Sequence, residues 1–96
     1  MAQPEQPANG ARFSLVRLEE TADGAVYKAE IAFAEATETV EVRYSGSQIT
    51  YSDRSKLPKW ADKFLGALAE QLRRDHDRQG RWMYRLRRWR DADDVT

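Results

Sequence analysis

Apolar and polar residues alternate with period two through most of the first half of the chain, and the period changes near residue 58. Tyr27, Ala29, Ile31 and Phe33 share one face while Lys28 and Glu30 take the other, the pattern of a half-buried strand. After a short link from Ala34 to Thr37, Val40, Val42 and Tyr44 repeat the pattern, with Glu41 and Arg43 outward. Ser45-Gly46-Ser47 then turns the chain towards Ile49 and Tyr51. Between Arg12 and Glu20 the phase is mixed: Phe13 and Leu15 oppose Val16 and Leu18, which predicts a bulge or a strand covered on both sides. Thr21-Ala22-Asp23-Gly24 predicts a hairpin, because Asp-Gly readily supplies the positive φ angles of a tight turn.

From Pro58 the period becomes helical. Proline suits a first helical turn, where its missing N–H is not needed. Trp60, Phe64, Leu68 and Leu72 recur every four residues, flanked by Ala61 and Leu65, while Lys59, Lys63, Glu70, Arg73 and Arg74 occupy other faces. Gly66 is a mild interior penalty that would let the helix approach a sheet closely. Arg73, Arg74 and Arg78 favour the negative end of the helix dipole, and Gly80 is a natural stop.

The segment Arg81–Arg90 contains only arginines and large apolar residues. Read as a strand, it puts Trp82, Tyr84 and Leu86 on one face and Arg81, Arg85 and Arg87 on the other. Read as a helix, it lines up Trp82, Leu86 and Trp89. Gly80 and the aromatic content favour the strand. The expected fold is therefore α+β: an antiparallel β-meander of three or four strands, one amphipathic helix packed on one face, and a closing C-terminal strand. The expected core is Tyr27, Ile31, Phe33, Val40, Val42, Tyr44, Ile49, Trp60, Phe64, Leu68, Leu72, Trp82, Tyr84 and Leu86. Residues 12–90 form the single domain in this reading, with residues 1–11 a disordered lead-in and residues 91–96 a frayed acidic tail.

Composition narrows the chemistry. The chain has 96 residues and no cysteine, which excludes disulfides, thiolate metal sites and thiol nucleophiles. The N-terminus lacks both a basic start and an apolar run, so neither a signal peptide nor an anchor is expected there, and a cytoplasmic location follows. Zero net charge conceals an asymmetry: residues 1–50 hold four Lys/Arg against eight Asp/Glu, and residues 51–96 hold twelve against eight. Arginine outnumbers lysine twelve to four. That preference suits planar, bidentate contacts, and it equally suits a GC-rich bacterial genome.

The final strand carries the candidate surface: Arg81, Met83, Arg85, Arg87 and Trp89. The bland reading pairs its arginines across strands with Glu30, Glu38 and Glu41 on one open face. The functional readings make it a protein-interaction or self-association module, with a homodimer one form of it, since Trp89 and Met83 among arginines resemble the composition of protein contacts. The alternative is RNA or single-stranded DNA binding through these arginines joined by Arg73, Arg74 and Arg78. A pI of about 6.6 argues against a dedicated nucleic-acid domain.

His76, the one histidine, sits between Asp75 and Asp77, but neighbouring helical residues do not face each other. It is expected to be a solvent-exposed residue near the helix end. No nucleophile elbow, phosphate loop or dinucleotide motif occurs. No enzyme activity, cofactor, metal or membrane contact is expected.

Overall fold

The computed structural model describes residues 10–91. Residues 1–9 of the expected lead-in and residues 92–96 of the expected tail lie outside that range. Four strands form an antiparallel meander: β1 (Gly10–Thr21), β2 (Gly24–Phe33), β3 (Thr37–Ser45) and β4 (Gln48–Tyr51). The helix α1 (Lys59–Gln79) follows, and β5 (Arg85–Asp91) closes the fold. The five strands lie in the order β4-β3-β2-β1-β5, so the closing strand returns to the first and forms one edge of the sheet. This is the α+β architecture the periodicity predicts. Its boundaries differ slightly from the expected ones: Gly10 pairs with Asp91 and Ala11 with Arg90, and Ala11 is fully buried. Those residues belong to the sheet, not to the lead-in or the tail.

The mixed phase of β1 resolves as a bulge, with the register against β2 shifting between Arg17 and Glu19. Phe13 and Leu15 face the core, while Leu18 is left 56% exposed. The hairpin that follows does not use positive φ, since only Gly46 and Gly80 have it among the described residues. Gly24 is needed for a different reason. A Cβ there would lie 1.8 Å from the Tyr44 carbonyl oxygen, so β2 and β3 can approach only without a side chain. Asp23 ties the two turns at this end together: its carboxylate accepts from Ser45 Oγ at 2.9 Å and its carbonyl from the Gly46 N–H at 2.9 Å.

α1 begins after Pro58, whose carbonyl accepts the Asp62 N–H, and ends at Gly80 in the left-handed conformation, its N–H donated to the His76 carbonyl. The helix buries Ala61, Leu65, Leu68, Ala69 and Leu72. The stripe is rotated from the one expected. Alanines and leucines lie against the sheet, while Trp60 and Phe64 flank it, half-buried, in T-shaped contact with Phe13 at 6.3 and 4.8 Å between ring centroids. Phe33 and Ile49 are likewise half-buried rather than central. Gly66 does not mediate a close approach, because the nearest atom to a Cβ there is the Tyr51 hydroxyl at 3.9 Å.

Hydroxyls fasten the layers. Tyr44 Oη donates to the Ala69 carbonyl at 2.7 Å, and Tyr27 Oη donates to the Met83 carbonyl. Neither hydroxyl is left to water. Burial raises both phenols: Tyr27 is pushed up to about 12, and Tyr44 is raised further by burial and by its tyrosine neighbours.

The segment between Gly80 and Arg85 is not a strand, and this overturns part of the expected face. Trp82 is buried, with its ring 4.6 Å from Tyr44 and stacked on His76 at 4.0 Å. Tyr84 is 59% exposed, lying just before β5 at the end of its ladder with β1, where its carbonyl accepts the Arg17 N–H. The guanidinium groups of Arg17 and Arg85 lie over its ring, at 5.7 and 5.9 Å from the centroid. His76 is also not the solvent-exposed residue expected. It is half-buried against Trp82.

Candidate interaction surface

The helix covers one face of the sheet, and among the described residues nothing covers the other, open face. Leu86 faces the helix, so alternation sends its neighbours Arg85 and Arg87, and then Trp89, to the open side. Cross-strand register fixes their surroundings. Arg85 lies opposite Val16, Arg87 opposite Ser14 and Trp89 opposite Arg12 on β1. On the next strand, Val16 faces Lys28, Ser14 faces Glu30 and Arg12 faces Ala32. Arg12 and Arg87 line a 440 Å³ depression with Ser14, Glu30, Ala32 and Thr37. Trp89 is 51% exposed beside it.

This geometry removes the cross-strand pairing that would neutralise the arginines. β1 lies between β5 and the acidic strands, so neither Arg85 nor Arg87 is a direct cross-strand neighbour of Glu30, Glu38 or Glu41, and Arg87 reaches the same depression as Glu30 only across Ser14. Glu30 pairs instead with Lys28 at 3.5 Å, and Glu41 with Arg43 at 3.4 Å. Glu38 lies opposite Ile31, which places it on the helix side of the sheet. Arg12, Arg85 and Arg87 form no ion pair among the described residues.

Two members of the expected surface sit elsewhere. Met83 is half-buried against the core, and its carbonyl takes the Tyr27 hydroxyl. Arg81 is exposed in the loop after α1, in a depression with Glu20, Asp23 and His76. The three helix arginines do not join Arg85 and Arg87, because α1 covers the opposite face. Arg73 donates to the Ser47 carbonyl at 3.1 Å and to Glu70 at 2.8 Å, and Arg78 pairs with Asp75 at 2.5 Å. Arg74 is exposed on the same helix. One continuous arginine surface is therefore not formed.

Sequence reading missed Arg12 as a member of the site. Its place in a strand of mixed phase hid its face, and only the pairing of β1 with β5 brings it beside Trp89. It also missed Arg88, whose Nη1 donates to the Arg87 carbonyl at 2.6 Å.

Comparison with family models, with curated proteins and with solved structures finds no match. Among the described residues no helix is long and apolar enough to cross a membrane, and no three His, Asp or Glu side chains gather as a metal site would require.

Proposed function

We propose that the chain is a non-enzymatic binding module that engages another protein through the β5 side of its open face. The observation that carries the reading is that Arg12, Arg85 and Arg87 form no ion pair among the described residues and stand next to the half-exposed ring of Trp89. Guanidinium groups without a carboxylate partner among the described residues keep their hydrogen-bonding forks free for carboxylates of another protein. An exposed tryptophan among arginines has the composition of an energetic centre at protein contacts.

Self-association is the weaker form of this reading. Two copies meeting through β5 would bring arginine against arginine, and like charges on adjacent strands are destabilising. Single-stranded nucleic acid is the second reading, favoured by the adjacency of Trp89 and Arg12, which could stack on a base and meet its phosphate. The placement of Arg73, Arg74 and Arg78 behind the sheet takes away half of the cationic area that reading relied on.

NMR titration of the intact chain at low salt separates the two, read at the indole N–H signals of Trp89 and Trp82. Poly-glutamate is expected to shift Trp89 and spare Trp82, with the shift lost in the double variant Arg85→Glu/Arg87→Glu. A response to oligouridine alone would transfer the assignment to nucleic acid.

A further inference from the structure

We propose that β5 accepts a sixth strand, an extended acidic segment of the partner protein lying along the outer edge of Arg85–Asp91. This rests on the protein-binding reading above and names the partner's chemistry and conformation. The Arg17 N–H donates to the Tyr84 carbonyl at 2.8 Å, which fixes the phase of the β1–β5 ladder. In an antiparallel pair, residues alternate between bonding to the neighbour and pointing away from it. Tyr84 and Leu86 bond inward, so the N–H and carbonyl groups of Arg85, Arg87 and Trp89 point outward from the sheet. No described strand lies on that side, because β5 ends the strand order.

One of these outward groups already has a substitute partner. The Arg88 side chain folds back to donate to the Arg87 carbonyl, as a neighbouring strand's N–H would. Arginine side chains flank the edge on both faces, with Arg85 and Arg87 on the open side and Arg88 on the helix side. A strand laid there would carry its own side chains beside guanidinium groups on either face, which selects for Asp and Glu. Lysine and arginine on an exposed edge commonly guard against indiscriminate strand pairing. Here the same charges admit an acidic strand and reject a neutral or basic one. A second copy is a poor occupant: β5 repels itself, and the opposite edge, β4, offers only Gln48, Ile49, Thr50 and Tyr51. Nucleic acid has no alternating donors and acceptors to complete the edge. Backbone pairing with side-chain selection at alternate positions is an established mode of peptide recognition.

The test uses a blocked peptide of alternating Glu and Val, as long as β5, and two versions N-methylated either at every Glu or at every Val. In a strand, the N–H groups of one residue set face β5 and those of the other face solvent. The unmethylated peptide is expected to bind the intact chain at low salt. One methylated series should bind about tenfold or more weakly than the other, as the loss of two backbone hydrogen bonds requires. Equal affinity for all three peptides, with shifts at Arg85 and Arg87, would overturn strand addition and leave the protein-binding reading standing. Failure of the unmethylated peptide to bind, with or without binding of oligouridine, would overturn both.

Discussion

The imidazole of His76 lies flat on the indole of Trp82, with ring centroids 4.0 Å apart and planes 12° from parallel. The stack closes the core at the end where helix, loop and sheet meet, and Tyr44 and Tyr27 complete the cluster at 4.6 and 6.4 Å from the indole. Removing the ring should leave a cavity that three elements must collapse to fill. Trp82→Ala is expected to destabilise by about 3–5 kcal/mol, and Trp89→Ala by no more than about 0.5 kcal/mol. Urea denaturation of the two variants checks the contrast, and similar losses would contradict the placement of both rings.

The Tyr44 hydroxyl bridges sheet to helix by donating to the Ala69 carbonyl. Tyr44→Phe keeps the ring and deletes the donor. The expected loss is about 1 kcal/mol, the usual net value of a buried hydrogen bond, since that carbonyl keeps its place in the helical ladder. The same denaturation measurement reads it, with an unchanged slope against urea showing that the fold is intact.

Two glycines should respond in opposite directions to the same substitution. Gly66→Ala adds a methyl group whose nearest neighbour is the Tyr51 hydroxyl at 3.9 Å, an ordinary contact, and it removes a helix-interior glycine. A gain of about 0.5–1 kcal/mol is expected. Gly24→Ala would drive a methyl group into the Tyr44 carbonyl and force β2 away from β3. It should lower the melting temperature sharply, or prevent folding.

Alkaline pH should unfold the chain through its tyrosines. The phenol of Tyr27 is raised by burial to about 12, from 10 in the open chain, and that of Tyr44 is raised further. A folded-state pKa above the unfolded value means that the contribution is fully present below pH 10. It is lost as pH rises from there through about 12, because the unfolded chain releases its protons first. Stability measured across this range should be flat below pH 10 and then fall. Tyrosinate absorbance of Tyr27 and Tyr44 should appear together with loss of the far-ultraviolet dichroism of the sheet. Early ionisation of either residue in the folded chain would contradict its burial.

The sheet was largely legible in the sequence, and its neighbours were not. Period two located β2 and β3 because each has one wet and one dry face, and the conflict of phase in β1 marked a real bulge at Leu18. The helix was clear from its period, but the choice of stripe favoured the largest residues. Close packing against a sheet selected Ala61 and Ala69 instead and moved Trp60 and Phe64 to the flank. The strand assignment of the last segment was right from Arg85 onward and wrong about the burial of Tyr84, which lies exposed at the end of the β1–β5 ladder opposite Arg17. Which strand lies beside which is set by long-range pairing and leaves no local trace. The proposed pairing of Arg85 and Arg87 with Glu30 and Glu41 failed on that point alone.

The pairing of β5 with β1 also has a kinetic side. Val16 must wait for Arg85, and Leu15 for Leu86, across a connection that contains three other strands and the helix. Closing so long a loop exacts its entropy before any contact rewards it, so this junction should form late and slowly. Until it does, the nascent meander presents Phe13 and Leu15 on an unshielded flank. The chain is then most vulnerable to aggregation at the side where the finished protein is most heavily guarded by arginine.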